Sequence, residues 1–204
     1  MNKPFLIFGR MARISLALTL FSMIAVAGLY SQKKPFPPAK VSFEDFKKLV
    51  LEVEPYREKR LVDLDTFLGM SSKKNTIMLD TRSDFRFERK HIKWAKHLAF
   101  TDFTQENLEK LVPDKNTRIL IYCNNNFDDD QVDFATKSSV PTKTYGQFQS
   151  QEKPIMLALN IPTYINLYGY GYRNIYELAE LVNVKDPRIH FEWTVVDTWA
   201  TKLP

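Results

Sequence analysis

The chemistry this chain could perform starts from one sulfur atom. Cys123 is the only cysteine in 204 residues, and it follows Arg118-Ile119-Leu120-Ile121-Tyr122, the strongest strand signal in the sequence. A short apolar run of this kind reads as a buried strand of a parallel sheet, and open α/β sheets bind ligands beyond the carboxyl ends of their strands. A thiol placed there can be a nucleophile, its thiolate favoured by nearby main-chain N–H groups and a following helix. It can equally be a small buried hydrophobe at a strand end. One cysteine makes no intrachain disulfide, and neither a Cys₄ nor a Cys₂His₂ zinc site can be built. A second run, Thr76-Ile77-Met78-Leu79, stops at Asp80. Asp80 is expected to cap the next helix, Arg82 to pair with a carboxylate, and His91 to be packed or hydrogen-bonded rather than a general base. His97 and His190 have no partners at metal-ligand spacing. Asp128, Asp129, Asp130 and Asp133 lack the EF-hand spacing and its glycine, so neither a metal nor a cofactor is expected.

The elements that position these residues alternate between strand and helix. Pro35, Pro37 and Pro38 give an extended tether. Ser42 opens a helix with Phe43, Phe46, Leu49, Val50 and Val53 on one face, and Pro55 is expected to end it. Leu61 to Leu64 reads as a short strand, Phe67-Leu68 as a brief helix, Ser83–Glu88 as another, and Lys96–Phe100 as a strand. Thr104 caps a helix with Leu108 and Leu111 inside. Residues 124–154 form a long polar loop, and such loops in compact domains are usually functional or mobile. Ile155–Tyr168 reads as a buried helix disturbed by Pro162, Asn174–Tyr176 as the last core strand, and His190–Val195 as an edge strand. The alternation predicts an α/β fold with a mostly parallel sheet.

The charge of the chain is an address. The net charge is +5, but residues 1–40 hold six basic side chains and no acidic one. The remaining body is nearly neutral, which gives no electrostatic case for nucleic acid. Lys3, Arg10 and Arg13 precede an uncharged apolar run from Ile14 to Gln32, with Ala25-Val26-Ala27 as a small-residue site. That is an export signal over residues 1–27, or an uncleaved membrane anchor of minimal length. Either reading places the body in the periplasm or cell envelope, with membrane contact only through residues 1–32 if they are retained. The domain expectation is a signal or anchor over 1–27, a linker plus accessory helix over 28–58, a core domain over 59–182 and a tail over 183–204.

Three pieces together resemble the rhodanese-like family. Asp80-Thr81-Arg82, Phe87, His91-Ile92 and Ala95 are similar to its D-x-R, aromatic, G-H-I and Ala pattern. Arg118 to Cys123 is similar to the strand ending in its active-site cysteine, and Gly171-Tyr172-Arg173-Asn174-Ile175-Tyr176-Glu177-Leu178 to its closing motif. The resemblance implies a three-layer domain with a mostly parallel five-stranded sheet flanked by helices. It also implies that Cys123 carries sulfane sulfur as a persulfide, held against the amides of Asn124, Asn125, Asn126 and Phe127.

The sequence departs from that family where the chemistry would occur. The loop after the cysteine, Asn124-Asn125-Asn126-Phe127-Asp128-Asp129-Asp130, has neither a basic residue nor a glycine, and Lys90 replaces the glycine before His91. A carboxylate roughly 8 Å from the sulfur, at an effective dielectric of about 20, costs the thiolate about 2 kcal/mol, so the aspartates are expected to raise the thiol pKa and repel thiosulfate. Without a loop arginine to clamp phosphate, a cysteine phosphatase is excluded. Two readings remain. One is a sulfurtransferase of the thiosulfate or polysulfide type, meeting a small sulfur donor and an external thiol acceptor. The other is a catalytically silent module that binds an envelope protein or small ligand through its long loop.

Overall fold

The computed structural model describes residues 37–139 and 155–194. The export or anchor segment, residues 140–154 of the polar loop and the last part of the tail lie outside the described residues. The chain divides into a unit that begins at Glu44 and one that ends at Phe43. Of the second, the described residues 37–43 are exposed.

Chain order begins with helix α1 (Phe43–Glu58), strand β1 (Leu61–Val62), helix α2 (Leu64–Ser71), strand β2 (Thr76–Asp80) and helix α3 (Asp84–Arg89). Strands β3 (His91–Ile92) and β4 (Lys96–His97), helix α4 (Gln105–Leu111), strand β5 (Arg118–Tyr122) and strand β6 (Phe127–Asp128) follow. Strands β7 (Lys137–Ser139) and β8 (Ile155–Leu157), helix α5 (Asn160–Gly169) and strands β9 (Ile175–Leu178), β10 (Val182–Asn183) and β11 (Phe191–Glu192) complete it. Five strands make the central sheet in the order β1-β9-β5-β2-β4, all parallel. The β5 strand is central, and β2 runs beside it in register from Thr76 opposite Arg118 to Asp80 opposite Tyr122.

Alternation along β5 builds a core on each face, because successive strand side chains point to opposite sides. Ile119 and Ile121 join Leu79, Val53 of α1, Leu108 of α4 and Tyr164 of α5. Leu120 and Tyr122 join Met78, Leu64 and Phe67 of α2, and Leu178. The arrangement is the expected three-layer α/β fold.

Four local expectations are corrected. Helix α1 runs through Pro55 to Glu58. Its last turn is held from outside: Tyr56 packs edge-on against Tyr168 at 5.1 Å and donates to the Arg173 carbonyl, while Arg57 pairs with Glu177. The proposed helix over Ile155–Tyr168 is divided into β8, which pairs antiparallel with β7, and α5. Pro162 is the third residue of α5, where the missing N–H would have no helical partner anyway. The Lys96–Phe100 strand contracts to two residues, because Phe100–Asp102 turn into a 3₁₀ helix. The tail strand is Phe191–Glu192, and it pairs with β3 outside the central sheet.

Candidate active site

Cys123 leaves the carboxyl end of β5 in extended conformation, and Asn124–Asn126 then close a 3₁₀ turn. The side chain is 3% exposed. Its Sγ accepts from the Leu159 amide at 3.3 Å, and the amides of Asn124 and Asn126 also point at it. Asn126 fixes this turn: its Oδ1 accepts from the Cys123 N–H at 2.9 Å, and its Nδ2 donates to the Leu178 carbonyl at 2.7 Å. Asn124 accepts from Arg82 and donates to the Ala135 carbonyl. Phe127 was expected in the loop around the sulfur. It leaves instead: its amide bonds back to the Asn124 carbonyl, and its ring is buried against Phe134 and Tyr122.

Asp80, Arg82 and Tyr122 form a buried ionic cluster beside the turn. Arg82 donates to both Asp80 oxygens, to the Lys90 and Asp133 carbonyls and to Asn124. The Tyr122 hydroxyl donates to Asp80 at 2.6 Å and accepts the Ile92 N–H. Asp80 therefore does not cap α3. Ser83 occupies the cap position, and Asp80 accepts the Arg82 amide while serving as counter-ion. His91 is buried, stacked on Phe87 with its Nδ1 on the Phe87 carbonyl at 2.6 Å.

Burial pushes the Cys123 thiol up, against the lowering effect of the Leu159 and Asn124 amides; Asp80 raises it further and Arg82 opposes. The loop aspartates do not act as expected. Asp129 pairs with Lys185 at 2.6 Å, Asp130 with Lys90 at 2.8 Å and Asp133 with Arg89 at 2.7 Å. Desolvation has taken the role assigned to their charge.

A pocket of about 720 Å³ opens beside the sulfur, lined by Cys123, Arg82, Arg86, Asn125, Leu159 and Ile161 among others. Arg86 and Leu159 were not singled out from sequence. The missing positive charge comes from the element after β2 rather than from the loop after β5. Because the two strands are parallel and in register, the segments that leave them share one end of the sheet. A sequence signal existed in Arg82 and Arg86, two arginines directly after a strand that stops at a carboxylate. Leu159 left none, since its contribution is a main-chain N–H. Among the described residues, no three ligand-type side chains gather into a metal site, and no helix is long and apolar enough to cross a membrane.

The rhodanese-like domain family model matches residues 63–179, more than half of the chain. Among solved structures, a rhodanese with anions from E. coli is 17% identical, covering 58% of this chain and 98% of its own, with a TM-score of 0.34. The BH2092 protein from Bacillus halodurans is 15% identical, covering 71% of this chain and 85% of its own, with a TM-score of 0.43. No curated protein matches the chain.

Proposed function

We propose, from the premise that this chain belongs to the rhodanese-like domain family, that Cys123 carries sulfane sulfur as a persulfide. One observation carries this reading: the Cys123 sulfur sits at a strand end with main-chain amides directed at it, on the wall of a pocket that Arg86 also lines. The thiolate attacks the outer sulfur of thiosulfate, the sulfur–sulfur bond breaks, and sulfite leaves with the bonding pair. The product persulfide anion occupies the amide-lined position. An external thiolate or other nucleophile then takes the outer sulfur and releases the Cys123 thiolate. With no second cysteine in the chain, the acceptor is another molecule. Amides aimed at a site of developing charge stabilise it without reorganisation, and Arg86 on the pocket wall attracts an anionic donor.

The test is mass spectrometry after incubation with thiosulfate or a polysulfide. A gain of about 32 Da (one sulfur atom) is expected on the native protein and not on Cys123→Ser. Arg86→Gln is expected to slow loading from thiosulfate roughly fivefold, the equivalent of about 1 kcal/mol of lost attraction. Absence of the adduct with several donors would sink the reading.

The burial of Cys123 favours a second reading, a silent module that binds a small ligand or an envelope protein. A thiol that stays unreactive toward chromogenic disulfides at neutral pH, together with no adduct, would select it. The basic, apolar N-terminal segment supports export of the body to the periplasm or cell envelope, cleaved or anchored. Cell fractionation with protease protection tests that placement.

A further inference from the structure

We propose that Arg57, Glu177 and Asn160 are positioning residues that hold the Leu159 amide against the Cys123 sulfur. The inference deepens the sulfur chemistry above and rests on Cys123 as its reacting atom. Glu177 projects from β9 and is 1% exposed. Two groups hold its carboxylate. Arg57 donates from Nε at 2.6 Å and from Nη2 at 2.5 Å, and Asn160 Nδ2 donates at 2.6 Å. Asn160 is 3% exposed and opens α5, directly after Leu159, whose N–H meets Sγ at 3.3 Å. A bidentate arginine fixes the carboxylate in orientation as well as place. The carboxylate fixes the first side chain of α5, and the residue directly before it, Leu159, carries the N–H that meets sulfur.

The relay begins outside the matched family region, because Arg57 belongs to α1 and the match starts at residue 63. An accessory helix thus supplies the first member of the relay, at the Glu177 carboxylate. Arg60, Tyr56 and Tyr164 share the corner with Glu177 and Arg57. The charged groups acting on the sulfur itself are Asp80 and Arg82, with Arg86 on the pocket wall.

Three variants of the full chain separate positioning from a simple field effect. Arg57→Gln removes a positive charge, Glu177→Leu removes a negative one, and Asn160→Ala removes neither. The readout is the pH profile of Cys123 alkylation by iodoacetamide, with the urea midpoint measured beside it. Positioning raises the thiol pKa in all three by about half to one unit, a three- to tenfold fall in rate at fixed pH below it. Arg57→Lys recovers part of the loss. A field effect moves the two charge variants in opposite directions and leaves Asn160→Ala at the native value, and that pattern overturns the proposal. So does an unchanged profile accompanied only by lost stability. Should Arg57→Gln fail to fold, because Glu177 is left buried without its cation, the other two variants decide. Alkylation needs no sulfur donor, so a protein that takes no sulfane sulfur yet shows the three shifts overturns the transfer reading alone.

Discussion

At Cys123, desolvation and hydrogen bonding pull the thiol in opposite directions, and desolvation is the larger effect. The consequence is a thiol held neutral at neutral pH rather than a standing thiolate. It also makes the sulfur a pH-sensitive part of stability. The folded pKa lies above the unfolded value of about 8.5, so the unfolded chain gives up the proton first as pH rises. Stability from this group is intact below that value and is lost as pH climbs through the folded pKa. Melting temperature followed from neutral to alkaline pH should fall more steeply in the native protein than in Cys123→Ala. Equal slopes would mean that the thiol is not held neutral by its surroundings. The residue scale was partly legible in the sequence: Cys123 stands out as the terminus of the strongest strand. Its ionisation was not, because three of the loop aspartates that looked decisive, Asp129, Asp130 and Asp133, are paired elsewhere by Lys185, Lys90 and Arg89.

At the scale of elements, helix α5 sets both the donor to sulfur and the approach to β9. It ends in a pair of main-chain bonds, from the Gly171 N–H to the Tyr168 carbonyl and from the Tyr172 N–H to the Leu167 carbonyl, each 3.0 Å. This is the Schellman pattern, and it requires a left-handed residue, here Gly171 at φ +91°. A Cβ there would meet nothing within 4 Å, so the cost of Gly171→Ala is conformational rather than steric. About 1–2 kcal/mol of stability should be lost, read as a lower urea midpoint with an unchanged m-value. No loss would show that the chain reverses by another route. The end of α5 was readable from the glycines in Gly169-Tyr170-Gly171. Its beginning was not, because the apolar run from Ile155 continues without a periodicity break, and only pairing with β7 makes Ile155–Leu157 a strand.

Over the whole molecule, α1 is part of the folded body although it precedes the matched family region. Val53 is 1% exposed and joins the core on the face of the sheet that carries Ile119 and Ile121. Val53→Ala should therefore cost about 2 kcal/mol, the transfer term for two methyl groups plus a small cavity. A change within about 0.5 kcal/mol, as expected for a surface position, would mean that α1 is only a tether. Local sequence is enough to give the alternation of strand and helix, the two central strands and the cysteine at the end of one of them, because a strand buried on both faces must be continuously apolar and such runs are local. The tertiary structure alone decided which charges and amides surround that cysteine. Arg86 and Leu159 come to the same pocket as Cys123 through the strand order β9-β5-β2, and strand order is a long-range outcome that no local periodicity encodes.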